Sequence, residues 1–234
     1  MTESLCNSIG ENLKIIREKI AEAATKAGRP PGEISLMAVT KTQSAAAVNA
    51  AISQGVTLLG ENRAQELLAK YDDYNREGVQ LHFIGGLQTN KVRQIITKVD
   101  LIQSVDSLRL ATEIERQAAQ NSRVMDLLIE INIGREMSKS GIMPEELFDF
   151  AAQIADFKHL RLRGLMAIPP ISENITQTMS FFSAMRQLFV DMQGKNVDNK
   201  NIDILSMGMS DDFEYAIMNG STLVRIGSAM FGKR

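Results

Sequence analysis

Eight short apolar runs alternate along this chain with helical patterns, and that alternation restricts the fold more than any single motif does. The runs cover residues 34–39, 58–60, 82–85, 101–104, 125–133, 161–168, 202–207 and 223–227. Between them, apolar residues recur at helical spacing over 45–53, 63–77, 91–98, 108–120, 144–155, 175–193 and 212–219. A further stripe precedes the first run: Leu5, Ile9, Leu13, Ile16, Ile20, Ala23 and Ala27 step by fours and threes, and Gly28-Arg29-Pro30-Pro31 closes it. Strict alternation implies a parallel sheet covered by its own helices. Eight such units in 234 residues predict an α/β fold, a (β/α)8 TIM barrel with an extra N-terminal helix, as one domain over 1–234. A doubly wound open sheet stands as the alternative, because periodicity does not report closure. The polar stretch 191–201 reads as the loop before the seventh strand.

Composition excludes several classes. Basic and acidic side chains number 26 and 28, a net charge of −2 without a basic stripe, so nucleic acid is not an expected partner. No apolar run reaches the roughly 18 residues of a membrane span, and Glu3, Glu11 and Lys14 interrupt any signal-peptide core. The single cysteine, Cys6, has no internal partner and fits a reducing compartment. A soluble cytoplasmic protein is expected.

Chemistry in such a barrel sits at the C-terminal ends of the strands. Lys41 follows the first run, Glu61 and Asn62 follow the second, and the sixth leads through Met166 to Pro169-Pro170. After the seventh come Ser206, Met207, Gly208, Met209, Ser210, Asp211 and Asp212, and the eighth carries Arg225, Gly227 and Ser228. Small, hydroxyl-rich loops after strands seven and eight expose backbone N–H groups to phosphate. Ser206, Gly208, Ser210, Gly227 and Ser228 fit such a cradle, although Ser210 is equally suited to cap the next helix. Lys41 also has two readings: a solvated strand-end lysine, or a desolvated amine of lowered pKa that condenses with an aldehyde. A lysine and a phosphate cradle together are what pyridoxal phosphate requires. Arg225 and Gly227, two apart, share a strand face. A guanidinium there meets either a pyridine nitrogen or a carboxylate such as Asp211 or Asp212.

Other signals carry less. Residues 227–233 spell G-x-x-x-x-G-K, but Arg234 stands where a P-loop needs Ser or Thr. His82 and His159, the two histidines, lack partners at metal-ligand spacing, so no metal is expected, and His82 reads as a core residue. Asn174-Ile175-Thr176 matches a glycosylation acceptor, which matters only in a secreted protein. Neither G-x-S-x-G nor G-x-G-x-x-G occurs.

Several stretches, taken in order, carry a resemblance. They are Ala38-Val39-Thr40-Lys41-Thr42, Gly60-Glu61-Asn62-Arg63-Ala64-Gln65-Glu66, residues 82–91, Ile131-Asn132-Ile133, Ser138-Lys139-Ser140-Gly141, and residues 162–169, 205–212 and 224–227. From the first strand to the last they resemble the pyridoxal phosphate homeostasis protein family, single-domain relatives of the alanine racemase barrel. The resemblance implies a fold-type III barrel without the C-terminal β domain, holding pyridoxal 5'-phosphate as a covalent aldimine on Lys41. It implies that Asn62 lines the ring pocket and that Met166 belongs to the same site. Ser206, Met207, Gly227 and Ser228 would hold the phosphate, partly through backbone amides, Gly208 would belong to the same cofactor site, and Arg225 would face the pyridine nitrogen. This chain departs from the commoner pattern at Gly86, where proline is frequent, at Gln43, where a second basic residue is often found, and at Ser228, often threonine.

The resemblance implies a carrier or regulator in vitamin B6 homeostasis, without an established catalytic reaction. Such a protein would hold the cofactor as a reversible Schiff base and pass it to apoenzymes that depend on it. The alternative is a weak amino-acid racemase, which needs acid–base groups on both faces of the ring. Lys41 would serve one face. In the racemases to which the resemblance points, a tyrosine from a second domain of the partner subunit serves the other. Tyr71, Tyr74 and Tyr215 all fall on expected helices, and seven residues after Gly227 leave no room for a further domain. A monomeric carrier is therefore expected. A third reading is a protein-binding barrel with a vestigial cofactor, in which Lys139, Lys233 and Arg234 would meet an acidic surface.

Overall fold

Strands that are apolar on both faces need cover on both, and a closed barrel supplies it with helices outside and the strands' own side chains inside. The computed structural model describes residues 3–170, 174–194 and 201–232. Eight parallel strands close in sequence order: β1 (Ser35–Val39), β2 (Leu58–Glu61), β3 (Gln80–Phe83), β4 (Leu101–Val105), β5 (Met125–Glu130), β6 (Leu160–Met166), β7 (Ile204–Met209) and β8 (Leu223–Ile226). Closure is made by β1 against β8, with Ser35 opposite Leu223 and Met37 opposite Arg225. The barrel reading therefore holds, and the open sheet does not.

The helices are α1 (Glu3–Lys26), α2 (Ala45–Ser53), α3 (Ala64–Lys70), α4 (Thr89–Ile95), α5 (Leu108–Gln120), α6 (Leu147–Ala155), α7 (Ile175–Gly194), α8 (Phe213–Met218) and α9 (Ser228–Phe231). Ser44 and Ser107 start α2 and α5 by accepting the amides of Ala47 and Leu110. The front helix buries Ile9, Leu13, Ile16, Ile20 and Ala23 against α2, α8 and α9. Its apolar stripe is thus a packing face. Among the described residues no helix is long and apolar enough to cross a membrane.

Several boundaries differ from the sequence reading, each for a local reason. Residues 63–77 split into α3 and a 3-10 turn at Tyr71–Asp73, after which Tyr74 is extended. The fifth run ends as a strand at Glu130 rather than at residue 133, because the Asn132 side chain bonds the backbone of Glu136 in both directions and turns the chain. The seventh strand begins later and runs to Met209, two residues beyond the expected end. The extra turn α9 is too short to show a periodicity. Helix α7 extends to Gly194 into the expected loop, whose residues 195–200 lie outside those described, as do Lys233 and Arg234.

Inside, the barrel is apolar in its middle and polar at both ends. Met37, Leu58 and Leu223 form one interior cluster, and Leu101, Leu128 and Met166 another, with Ile204 packed against both. At the N-terminal end Asp126 accepts hydrogen bonds from Arg161 at 2.6 Å and from Arg163 at 2.7 Å, and Arg163 also donates to Asp203. Higher up, a polar chain crosses four strands: His82 Nδ1 meets Gln103 Nε2 at 3.1 Å, Ser206 donates to Gln103 Oε1 at 2.7 Å, and Arg225 donates to Ser206 at 2.7 Å.

His82 is buried in this chain, and burial, with a smaller push from Arg163, lowers its pKa from 6.5 to about 3 against the attraction of Asp126. Unfolded, the imidazole takes up a proton near its ordinary value; folded, it resists one down to about pH 3. The unfolded state then binds more protons, so stability falls as pH drops from 6.5 toward 3. Urea unfolding over this range should show wild type losing about 1.4 kcal/mol more per pH unit than a His82→Gln variant. Parallel profiles would contradict the assignment.

Candidate functional site

Val39 ends β1 with its side chain toward the barrel mouth, and the chain then turns sharply at Thr42, which has φ of 62°. A β-branched residue in the left-handed region costs about 1–3 kcal/mol and persists only where its surroundings over-determine it. They do so here. The Thr42 amide donates to Glu66 Oε2 at 2.7 Å and its hydroxyl to the Lys41 carbonyl at 2.6 Å. The Lys70 ammonium, at the end of α3, donates to the carbonyls of Thr40 at 3.1 Å and Gln43 at 3.3 Å. Lys41 is an exposed residue on the wall of the cavity; it is not desolvated by the protein, as one strand-end reading required.

Beneath the loop, Glu61 is fully buried. Its neighbours Gly60 and Asn62 turn to the interior, so Glu61 faces the helices. One oxygen, Oε1, accepts from Thr40 at 2.6 Å, Lys70 at 2.7 Å and Tyr74 at 2.8 Å. Burial and the adjacent carboxylate push the Tyr74 phenol upward, so it remains a donor. The Thr42 amide holds Glu66 below the usual carboxylate range, against some opposing burial.

The strand ends surround a cavity of about 660 Å³, within the range of small-molecule sites. Its wall includes Lys41, Asn62, Glu130, Arg225, Gly227 and Ser228. Asn62 Oδ1 is buried and has no protein partner, leaving an acceptor for a bound molecule. The Ser210 hydroxyl accepts the amides of Gly227 at 3.2 Å and Ala229 at 3.3 Å, so two amides already converge on one oxygen. Such paired donors are what a phosphate oxygen takes. The donor set fits a phosphorylated aldehyde.

Arg225 forms the floor. It donates to the Ser206 carbonyl and hydroxyl at 2.9 and 2.7 Å and to the Ala167 carbonyl at 2.8 Å. Those three bonds leave donors over from the five of a guanidinium. Its direct partners are carbonyl and hydroxyl oxygens rather than Asp211 or Asp212. Burial lowers its pKa to about 10, opposed by Asp212 and Glu130. Asp212 itself accepts the Met209 amide.

Lys41, Asn62, Arg225, Gly227 and Ser228 are thus brought together as read from the sequence. Met166, Ser206, Met207 and Gly208 are not cavity-lining residues. Because β7 runs on to Met209, Ser206 lies inside the barrel under Arg225, and the buried Met207 joins the main core. Gly208, at φ of 94°, backs onto α8, where a Cβ would press Ala216 at 2.5 Å. Met166 packs against Leu101 and Leu128. The sequence reading missed Glu130, because the strand was carried past it. It also gave no site role to Ser138, Lys139 and Ser140, which reach the cavity on a loop closed at its base by the bridge between Ile131 and Ile142.

The sequence profile of the alanine racemase N-terminal domain matches residues 12–234. The pyridoxal phosphate homeostasis protein of Escherichia coli K12 is 46% identical over 232 residues, 97% of either chain. That of Haemophilus influenzae is 42% identical over 229 residues, 97% of this chain and 96% of its own. The chain belongs to the pyridoxal phosphate homeostasis protein family. Within reach of it structurally is PipY of Synechococcus elongatus PCC7942, solved with pyridoxal phosphate bound, at TM-score 0.80 and 32% identity over 91% of this chain and all of that one. A protein described as unknown from Bifidobacterium adolescentis superposes at TM-score 0.94 with 34% identity, covering 99% and 97%. Alanine racemase of Streptomyces coelicolor, 17% identical at TM-score 0.72, shares the barrel fold over 98% of this chain and 59% of its own.

Glu130, one of the acidic residues lining the cavity, is raised from 4.5 to about 7, first by burial and then by Asp106, with Arg225 pulling the other way. The folded state therefore holds a proton that the unfolded state releases near pH 4.5, and stability falls as pH rises from 4.5 through 7. Carbon-13 NMR of labelled glutamate should show one carboxyl titrating near pH 7 that disappears in Glu130→Gln. A spectrum with every glutamate titrating below pH 5.5 would contradict it.

Proposed function

We propose that the cavity binds pyridoxal 5'-phosphate through Lys41, and that the protein acts as a carrier and regulator of that cofactor. The observation that carries the reading is the accessible Lys41 amine, held on a braced loop, in one cavity with converging amides and a buried guanidinium. The names of the curated relatives and the cofactor-bound PipY structure support it. When bound, the cofactor supplies an electrophilic aldehyde on an electron-withdrawing ring. Lys41 would hold that aldehyde through its amine, whose exposed position leaves it open to water and to competing amines. Asn62 offers its unpartnered Oδ1, and Arg225 its remaining donors, to the ring. Gly227, Ser228 and Ser210 form the phosphate cradle, Ser206 braces Arg225 beneath it, Met207 and Gly208 pack β7 against the helices, and Met166 fills the barrel below.

An exposed amine suits exchange with apoenzymes, the recipients in this reading, and a monomer working in the cytoplasm is sufficient for it. Racemization would require a second acid–base group. Tyr74 is occupied with Glu61, Tyr71 lies against Arg76 and Lys98, and Tyr215 sits on α8; none of the three lines the cavity.

Purified protein mixed with pyridoxal phosphate should develop a yellow absorbance band that borohydride bleaches, leaving the reduced adduct on the Lys41 peptide. A Lys41→Ala variant should show no such band. Equal uptake by the variant, or an adduct on another residue, would overturn the attachment.

A further inference from the structure

We infer that Glu66, Lys70 and Glu61 form a clamp on the outer side of the barrel that positions Lys41 for its reaction. The inference rests on the proposed role of Lys41. The clamp lies on the far side of β2 from the cavity and touches no cavity-lining side chain directly. It acts on backbone. Lys70 reaches both ends of the turn, the Thr40 and Gln43 carbonyls, while Glu66 takes the Thr42 amide between them. Lys41 is therefore flanked on each side by a main-chain group tied to α3 or its last residue.

Geometry explains why three residues are needed. Thr42 holds a left-handed conformation that a free loop would abandon, and a relaxed turn would swing the Lys41 amine along the barrel rim. Reach alone does not fix an amine, since a lysine side chain has several rotatable bonds. What the clamp fixes is the origin of that side chain. Glu61 in turn fixes the clamp, because its Oε1 gathers Lys70, Thr40 and Tyr74 on one atom. These groups are positioning residues, not catalytic ones.

The experiment combines hydrogen exchange with chemical trapping in the full-length protein. Glu66→Ala removes the acceptor of the Thr42 amide from a partly exposed site. Lys70→Met strips Glu61 of its cation and can unfold the barrel, so Glu66→Ala carries the test alone if that happens. Lys70→Arg keeps the charge and the donors. Exchange is measured without cofactor, and trapping uses substoichiometric pyridoxal phosphate followed by borohydride, read as the fraction of Lys41 modified. Exchange at Thr42 and Gln43 should quicken at least tenfold in Glu66→Ala, with trapping at Lys41 reduced at least fivefold. Lys70→Met should behave alike, and Lys70→Arg should restore most of both. Native exchange in Glu66→Ala, or faster exchange with undiminished trapping, overturns the clamp. Loss of trapping in Lys70→Arg equal to that in Lys70→Met also overturns it. Failure of wild type to trap at Lys41 would instead sink the cofactor reading, and the exchange rates would still judge the clamp.

Discussion

A guanidinium sealed inside a barrel is the constraint on which the rest of this site depends. Burying a charge without partners is prohibitive, and Arg225 answers this with the oxygens of Ser206 on β7 and the carbonyl of Ala167 just after β6 instead of a carboxylate. Ser206 is itself held by Gln103, and Gln103 by His82. The positive charge on the cavity floor is thus supported by a polar chain spanning β3, β4, β7 and β8. This arrangement leaves guanidinium donors over on a residue that lines the cavity, where Glu130 adds a carboxyl of raised pKa. A floor made this way favours an electron-rich ring acceptor and does not compete for it with a fixed anion.

The mouth is built on a different principle. There the amine is exposed, and what the fold controls is the strained backbone from which it projects. The two halves suit holding a small phosphorylated aldehyde by one reversible bond and several polar contacts. With alanine racemase of Streptomyces coelicolor the chain shares the barrel fold, and none of Tyr71, Tyr74 and Tyr215 lines the cavity of this one.

Much of this was legible in the sequence because its signals are local. The β/α alternation follows from short-range periodicity, so the barrel and most elements came through, with α2 and α5 at the expected ends. Lys41, Asn62, Arg225, Gly227 and Ser228 were readable as polar residues placed just after apolar runs. Strand ends were not, because they depend on hydrogen bonds between segments far apart. Asn132 turning onto Glu136 hid Glu130, and the extra length of β7 moved Ser206 beneath the site. The role of Glu61 was hidden as well: period-two alternation places it on the helix side of β2, but only packing shows Lys70 and Tyr74 arriving there.

In the proposed reading the braced amine, the floor guanidinium and the Ser210 hydroxyl with the amides after β8 act on one molecule. A crystal structure grown with pyridoxal phosphate tests it most directly. Electron density should run unbroken from Lys41 Nζ to the ligand, with its ring over Arg225 and its phosphate among Ser210, Gly227 and Ser228. Ligand density detached from Lys41, or lying outside this cavity, would contradict the account.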